Sequence, residues 1–365
     1  MNKIKKIYRL ILIGLLACFF VACSNSKEEV KDYKNELDVE GVTQSATDQK
    51  IWAPKTISEQ LNENLMADAE IELPESFDGE VKVINTVLKQ FDTEKVIETL
   101  MPDEEKIEQP AEGVYISKDK NLNIGNSLNY TTQNVQYYSS VYTPQISTEN
   151  LELSYMKIDQ AYQEVVSTLK GLGVENIVLG HVYSMDINLM KQEEKAKTED
   201  KNFKEDLKNG RVLYKGEWNE EDGCYVFELE QGYNDINILD NAYVTSDDSI
   251  TFGGKVRSYF TKFGVEAINV DAVYEKVDEE KGITAIKPQE VLDLLKRKYD
   301  TIIMADKMEV TNMKITYIPV RNDKIGDKYQ LVPAWNLTIM PENKQEASEE
   351  YHIYFNAITG EEFLL

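Results

Sequence analysis

Histidine and cysteine are scarce: a chain of 365 residues holds two of the first and three of the second. The histidines, His181 and His352, stand far apart in sequence, and neither an H-E-x-x-H nor a C-x-x-C spacing occurs. The clustered imidazoles or thiolates of a zinc site therefore have no local motif, and no cofactor is implied. Basic residues are outnumbered 40 to 65, for a formal charge of −25. A surface of that sign repels phosphate backbones and anionic lipid headgroups, which excludes nucleic acid as a partner. No apolar run is long enough to span a bilayer. The N-terminal one, Leu10 to Ala22, rises about 20 Å as a helix against roughly 30 Å of hydrocarbon. G-x-S-x-G, Walker and G-x-G-x-x-G patterns are also missing, so neither a hydrolase elbow nor a phosphate cradle is marked.

What is present begins with an address. Lys3, Lys5, Lys6 and Arg9 precede the apolar run, which ends Phe20-Val21-Ala22-Cys23-Ser24. This reads as a secretory signal over residues 1–22. A small residue before a cysteine at that point resembles the bacterial lipobox, which implies diacylglyceration of Cys23 as the mature first residue. Phe20 departs from the usual leucine, and Leu15-Leu16-Ala17-Cys18 is a competing match with a shorter apolar run. Two acyl chains with some thirty methylenes, at about 0.8 kcal/mol each, hold a protein on a bilayer effectively irreversibly. The expected location is the outer face of the cytoplasmic membrane. Removing the signal removes four bases and no acid, taking the charge to −29. Cys224 is then the only free thiol, so no intramolecular disulfide can form. Residues 23–54 are polar and acidic without an apolar period and read as a flexible tether with a reach of about 30 Å.

The expected fold class is α+β, with mainly antiparallel sheets and packed helices: a β-rich region over 55–155 and a second region over 156–365. Leu65, Ala67, Ala69, Ile71 and Leu73 alternate with Met66, Asp68, Glu70 and Glu72, which predicts a half-buried strand ending at Pro74. Asp92 caps a predicted helix with Val96, Ile97, Leu100 and Met101 on one face, stopped by Pro102. From Gly113 to Tyr155, tyrosines among Asn, Ser and Thr predict short strands on an exposed sheet. A helix with Asp159 as N-cap buries Ala161, Val165, Val166 and Leu169 and stops at Gly171. The strand Ile177–Tyr183 follows. Leu189, Ala196, Phe203 and Leu207 fall at helical spacing before Gly210, and a hairpin pairs 211–218 with 224–230. A further helix starts at Pro288 and buries Val291, Leu292 and Leu295.

Gly173-Val174-Glu175-Asn176-Ile177 with Val182-Tyr183 is echoed by Gly264-Val265-Glu266-Ala267-Ile268 with Val273-Tyr274, six matches in eleven positions. The echo raises either a duplicated α+β unit, near 159–250 and 251–365, or chance similarity of two amphipathic strands. Tyr329, Leu331, Pro333, Trp335, Leu337 and Ile339 alternate with their neighbours, and Pro333 predicts an edge strand or a bulge. Tyr351 to Asn356 alternates again, and Gly360 offers a left-handed reversal.

The lipobox, the Met66–Pro74 strand, Leu331-Val332-Pro333-Ala334-Trp335 and Tyr354-Phe355-Asn356-Ala357-Ile358-Thr359-Gly360 together resemble an uncharacterised family of lipoproteins from Gram-positive, clostridia-type bacteria. The ending is also similar to PepSY-like modules and YycH/YycI-type extracytoplasmic regulators. These resemblances imply an extracytoplasmic α+β protein that binds or restrains another protein and has no catalytic residue to transfer. A lipid anchor in place of a transmembrane helix departs from the YycH/YycI type.

Candidate chemistry is sparse. His181 alternates with Leu179 and Tyr183 and reads as a packed or interfacial strand histidine rather than a ligand; His352 reads as solvated. Ser24 to Lys27 and Ser117 to Lys120 match Ser-x-x-Lys, but no Lys-Thr-Gly strand accompanies them. Asp235, Asn237, Asp240, Asp247 and Asp248 put oxygens close together without the EF-hand order or its glycine. Three readings follow: a non-enzymatic module binding an extracytoplasmic protein, a glycan hydrolase using an Asp/Glu pair, and a solute-binding lipoprotein with two parallel-sheet lobes. The first is expected.

Overall fold

The computed structural model describes residues 52–141, 148–244, 250–302, 306–322, 328–341 and 350–365. Cys23, its alternative Cys18, the tether before Trp52, Asp247 and Asp248 lie outside the described residues. The fold is α+β and its sheets are mainly antiparallel.

Alternation does what one-sided burial requires in Leu65–Glu72: Leu65, Ala67, Ala69 and Ile71 are buried, while Asp68, Glu70 and Glu72 are exposed. This strand belongs to a first sheet ordered Thr56–Asn62, Leu65–Glu72, Met308–Arg321, Lys328–Pro341, Tyr351–Asn356 and Glu362–Phe363. Ile84–Leu88 also pairs with Lys328–Pro341, and Tyr274–Glu279 lies beyond it. Among the described strand pairs of this sheet, only Leu65–Glu72 with Met308–Arg321 is parallel. The helix Pro288–Tyr299 packs on this sheet. Pro288 fills its first turn, Lys287 N–H donates to Glu290 (2.7 Å), and Val291, Leu292 and Leu295 are buried. Each such burial contributes about 1.5–3 kcal/mol, which holds a helix too short to persist alone.

The second sheet is antiparallel throughout. Its order is Glu108–Ala111, Val114–Ile116, Lys120–Ile124, Leu128–Thr132, Gly264–Val270, Lys255–Thr261, Cys224–Tyr233, Ile177–Met185 and Thr148–Glu149. The helices Thr93–Leu100 and Ile158–Gly171 cover one face, packing Val96, Leu100, Val165 and Leu169 on Tyr225, Phe227 and Ile268. The other face is half covered: Tyr138, Met190 and Trp218 pack on Cys224, Val226 and Tyr259. The two sheets are joined by main chain. Residues beyond Cys224–Tyr233 run along Met308–Arg321 where Leu65–Glu72 leaves it, with Leu239 N–H donating to Tyr317 O (2.8 Å) and Thr316 Oγ1 to Asn237 O (2.9 Å). The buried Gln231 amide exchanges two hydrogen bonds with the Tyr274 backbone, at 2.9 and 3.1 Å. This is not the pair of parallel-sheet lobes a solute-binding lipoprotein would use.

Each sheet draws strands from both sides of residue 155. In the echo, Gly173 (φ 74°) follows a helix, whereas Gly264 (φ 95°) lies in a hairpin turn. Several local expectations are corrected. Lys157, not Asp159, is the N-cap of Ile158–Gly171, and Glu152 accepts from Ile158 N–H (3.0 Å). The helix ends at Gly171 as expected, and the left-handed residue past it is Gly173. The segment 186–209 forms two helices, Ile187–Glu199 and Lys201–Lys208, separated at Asp200, whose side chain caps the second. Their buried residues are Met190 and Glu194, not Leu189, Ala196, Phe203 and Leu207.

Residues 211–218 are not a strand. Glu194 draws them onto the sheet instead, accepting from Lys215 N–H (3.2 Å), Gly216 N–H (3.3 Å) and the Trp218 indole (2.8 Å). The stretch 113–155 includes a helix, Val135–Val141, and Tyr130 and Tyr138 are buried rather than exposed.

Pro333 lies in a central strand. Lys328–Leu331 pairs with Ile84–Val87 and Ala334–Ile339 with Tyr351–Asn356 on the same side, leaving Pro333 at the seam. Its carbonyl accepts from Ala357 N–H (2.9 Å) on that side. A residue's N–H and C=O point the same way in a strand, so the donor proline lacks also faces the seam.

Candidate functional site

Where the two sheets meet, strand ends and turns leave a cleft of about 340 Å³. Leu88, Tyr274, Arg321 and Tyr329 contribute the ends of first-sheet strands; Asn126, Ser127 and Asp271 come from turns of the second. Tyr274 and Tyr329 meet edge to face, with centroids 5.4 Å apart. One side is formed by Ile250, within the short pairing of Tyr243–Val244 with Ile250–Thr251, and by Phe252, which follows it. The Tyr274 hydroxyl donates to the Phe252 carbonyl and ties this hairpin to the first sheet. A Cβ on Gly253 would lie 2.1 Å from Leu239 O, so this close approach of two backbones requires glycine. Val244 and Ile250 are cross-strand neighbours, and with Phe252 they are 56%, 57% and 45% exposed.

Charge of both signs borders this apolar rim. On the uncovered face of the second sheet, Arg257 Nε donates to Glu228 Oε1 (3.1 Å), and Lys255 Nζ lies 3.7 Å from Glu228 and 3.9 Å from Asp240. Withdrawal from water would raise the Glu228 carboxyl, but Arg257 and then Lys255 outweigh it and hold it below the ordinary range. Asp271 stands where this charged strip enters the cleft. Its environment withdraws the carboxyl from water and raises it, against the opposing pull of Lys255 and Arg257, although the residue keeps an open surface. The cleft thus offers apolar and aromatic area, one carboxylate and one guanidinium. That combination suits recognition of an amphipathic segment.

A second hollow, about 420 Å³, lies between the end of Pro288–Tyr299 and the strands Tyr351–Asn356 and Glu362–Phe363. Its Lys298 and Glu362 bond each other and so compensate one another's charge.

The residues weighed as candidates for chemistry are not brought together. His181 is exposed in the second sheet, its ring 6.0 Å from that of Tyr183; His352 lies in the first, its Nδ1 3.1 Å from Asn336 Oδ1. Lys120 Nζ sits 3.1 Å from Glu104, and Ser117 N–H donates to Lys120 O (3.0 Å) in a turn. Asn237 donates to Glu230 (2.6 Å). Among the described residues, no group of three His, Cys, Asp or Glu is placed to hold a metal ion.

Buried carboxylates do occur, but in structural settings. Asp222 lies 3.1 Å from Lys215 and 3.3 Å from Lys262. Glu266 is the extra residue of a β-bulge, which turns it inward to accept from Thr132 (3.2 Å), Thr261 (2.7 Å) and Asn134. The sequence reading missed Glu228, Arg257, Asp271 and Arg321. Glu228 had a signal, a charge inside the apolar run Tyr225-Val226-Phe227-Glu228-Leu229; Asp271 and Arg321 had none, because only tertiary pairing makes them neighbours of a cleft.

No protein-family model matches the chain, and no curated protein matches it. Among solved structures, the fold is similar to that of an uncharacterized protein from Eubacterium rectale, with a TM-score of 0.60 at 15% identity. The similarity covers 86% of this chain and 94% of the other. At that identity the likeness is one of fold.

Proposed function

We propose that this chain is a lipid-anchored, extracytoplasmic binding module without catalytic activity, and that it holds part of a protein partner at the inter-sheet cleft. The observation that carries this reading is the juxtaposition of Val244, Ile250 and Phe252, each about half exposed, with a cleft bearing Asp271 and Arg321. A cluster of large apolar side chains rimmed by charge is the composition of a recognition surface. The lipobox-like Cys23 supports the anchored location, and the cleft lining offers one carboxylate with no imidazole or thiol.

The test places a photo-crosslinking side chain at Phe252 in the anchored chain in cells. The expected result is one discrete adduct that disappears on adding Ile250→Asp or Arg321→Glu. Turnover of a cell-wall fragment by the purified protein, or an adduct pattern unaffected by both substitutions, would overturn the reading.

A further inference from the structure

The second sheet has an edge that the described residues leave open. Ile177–Met185 pairs along its whole length with Cys224–Tyr233, but on its other side, among the described residues, only Thr148–Glu149 pairs with it, opposite Tyr183 and Ser184. Continuing that register would bring residues 151–155 alongside 177–181. The chain turns away instead: Leu153 N–H donates to the Tyr225 hydroxyl (2.6 Å), and Leu153 bridges to Met156. Among the described residues, no strand covers the outer side of Ile177–Gly180. Val178 and Leu179 are 43% and 39% exposed there.

Natural edges are commonly blunted with lysine, proline or a covering loop. This one carries valine and leucine. Gly180 is the extra residue of a β-bulge, and a Cβ on it would meet Glu230 Oε1 and Glu228 O, each at 3.2 Å. The Glu230 carboxylate therefore overhangs the edge, and it accepts a hydrogen bond from the neutral amide of Asn237.

We propose that this edge takes up an extended segment of a basic protein partner as an added strand. The segment's main chain pairs with Ile177–Gly180; its apolar side chains pack beside Leu179 on one face of the sheet, and its lysines or arginines lie on the other, where Val178 is paired with Glu230, and reach that carboxylate. Strand addition supplies affinity through main-chain hydrogen bonds, and specificity comes from alternate side chains. A second copy of this chain is the poorer occupant, because it brings a like charge, −25 over the full sequence and −29 without residues 1–22, against the same charge. This surface is independent of the inter-sheet cleft.

The test uses the full anchored chain in detergent and three synthetic peptides: five Val-Lys repeats, five Val-Glu repeats, and the Val-Lys peptide with its central valine changed to proline. The Val-Lys peptide should slow amide exchange across residues 177–180 by about tenfold or more. Its affinity should fall about tenfold with Glu230→Gln and with Leu179→Lys, and should weaken as salt is raised. Glu230→Gln keeps the shape of the site, so it decides the matter if Leu179→Lys perturbs folding. Equal binding of the Val-Glu or proline peptide, or no protection at 177–180, would overturn the proposal. Dimerisation of the chain that Leu179→Lys abolishes would overturn it too, by assigning the edge to a second copy.

Discussion

The indole of Trp52 stacks on that of Trp335, with ring centroids 6.4 Å apart and planes 12° from parallel. Phe77 meets Trp52 edge-on at 5.1 Å, and Gly79 leaves room for the ring: a Cβ there would lie 2.0 Å from Trp52 Nε1. Trp335 is fully buried and donates its indole N–H to Ile286 O (3.0 Å). The point where the expected tether reaches the folded body is therefore fastened to the first sheet's core.

Trp335→Ala should destabilise the protein by about 3–5 kcal/mol, since it removes a large buried ring, its stacking partner and a buried hydrogen bond. Denaturant unfolding measures this. A loss below about 1 kcal/mol would mean that the core closes over the vacated volume, which a close-packed interior does not readily do.

Asp222 predicts a pH dependence. Burial would raise its carboxyl, but the Asn219 N–H (2.8 Å) and then Lys215 and Lys262 outweigh burial and hold it below the ordinary range. A lowered folded-state value stabilises above the unfolded value of about 3.9, and that contribution is lost as pH falls through the folded one. Asp222→Asn should cost about 1–3 kcal/mol at neutral pH, allowing for the partial exposure of both lysines. The difference from wild type should shrink below a pH of about 4. Urea titrations at neutral and acid pH read this, and a difference independent of pH would contradict it.

Cys224 predicts a kinetic behaviour. Burial pushes its thiol well up, and the Glu266 carboxylate adds to the shift. Since the thiolate is the reacting form, a disulfide reagent should modify native Cys224 only through unfolding. With Cys23 acylated or changed to serine, the labelling rate should follow the unfolding rate as denaturant is varied. Prompt labelling without denaturant would show that this core opens locally.

Cys23→Ser should move the protein from the membrane fraction to the medium or the soluble fraction. Retention on membranes would point to Cys18 as the acylated residue.

Elements with a one-sided burial pattern were legible in the chain. Leu65–Glu72, Thr93–Leu100 and Pro288–Tyr299 follow their apolar periods, and Asp92 and Pro288 stand at the helix starts as their chemistry predicts. Residues 211–218 misled because the turn at 219–223 suggested a hairpin with 224–230, yet among the described residues they have no strand partner; a buried Glu194 binds them in another shape. Pro333 misled differently: its missing donor implies a free edge in one dimension, but two partners laid end to end absorb it inside a sheet.

The amino-acid sequence by itself determined the local periods and the helix starts, because each depends on residues within a turn or two of one another, and the acidity, which is a sum over residues. Tertiary structure alone decided the cleft, the bulges at Gly180 and Glu266, and the open edge at Ile177–Gly180. Those features arise from pairing between strands as distant as Ile84–Leu88 and Lys328–Pro341, and register across such separations is set by how whole faces pack, which no short window of residues records.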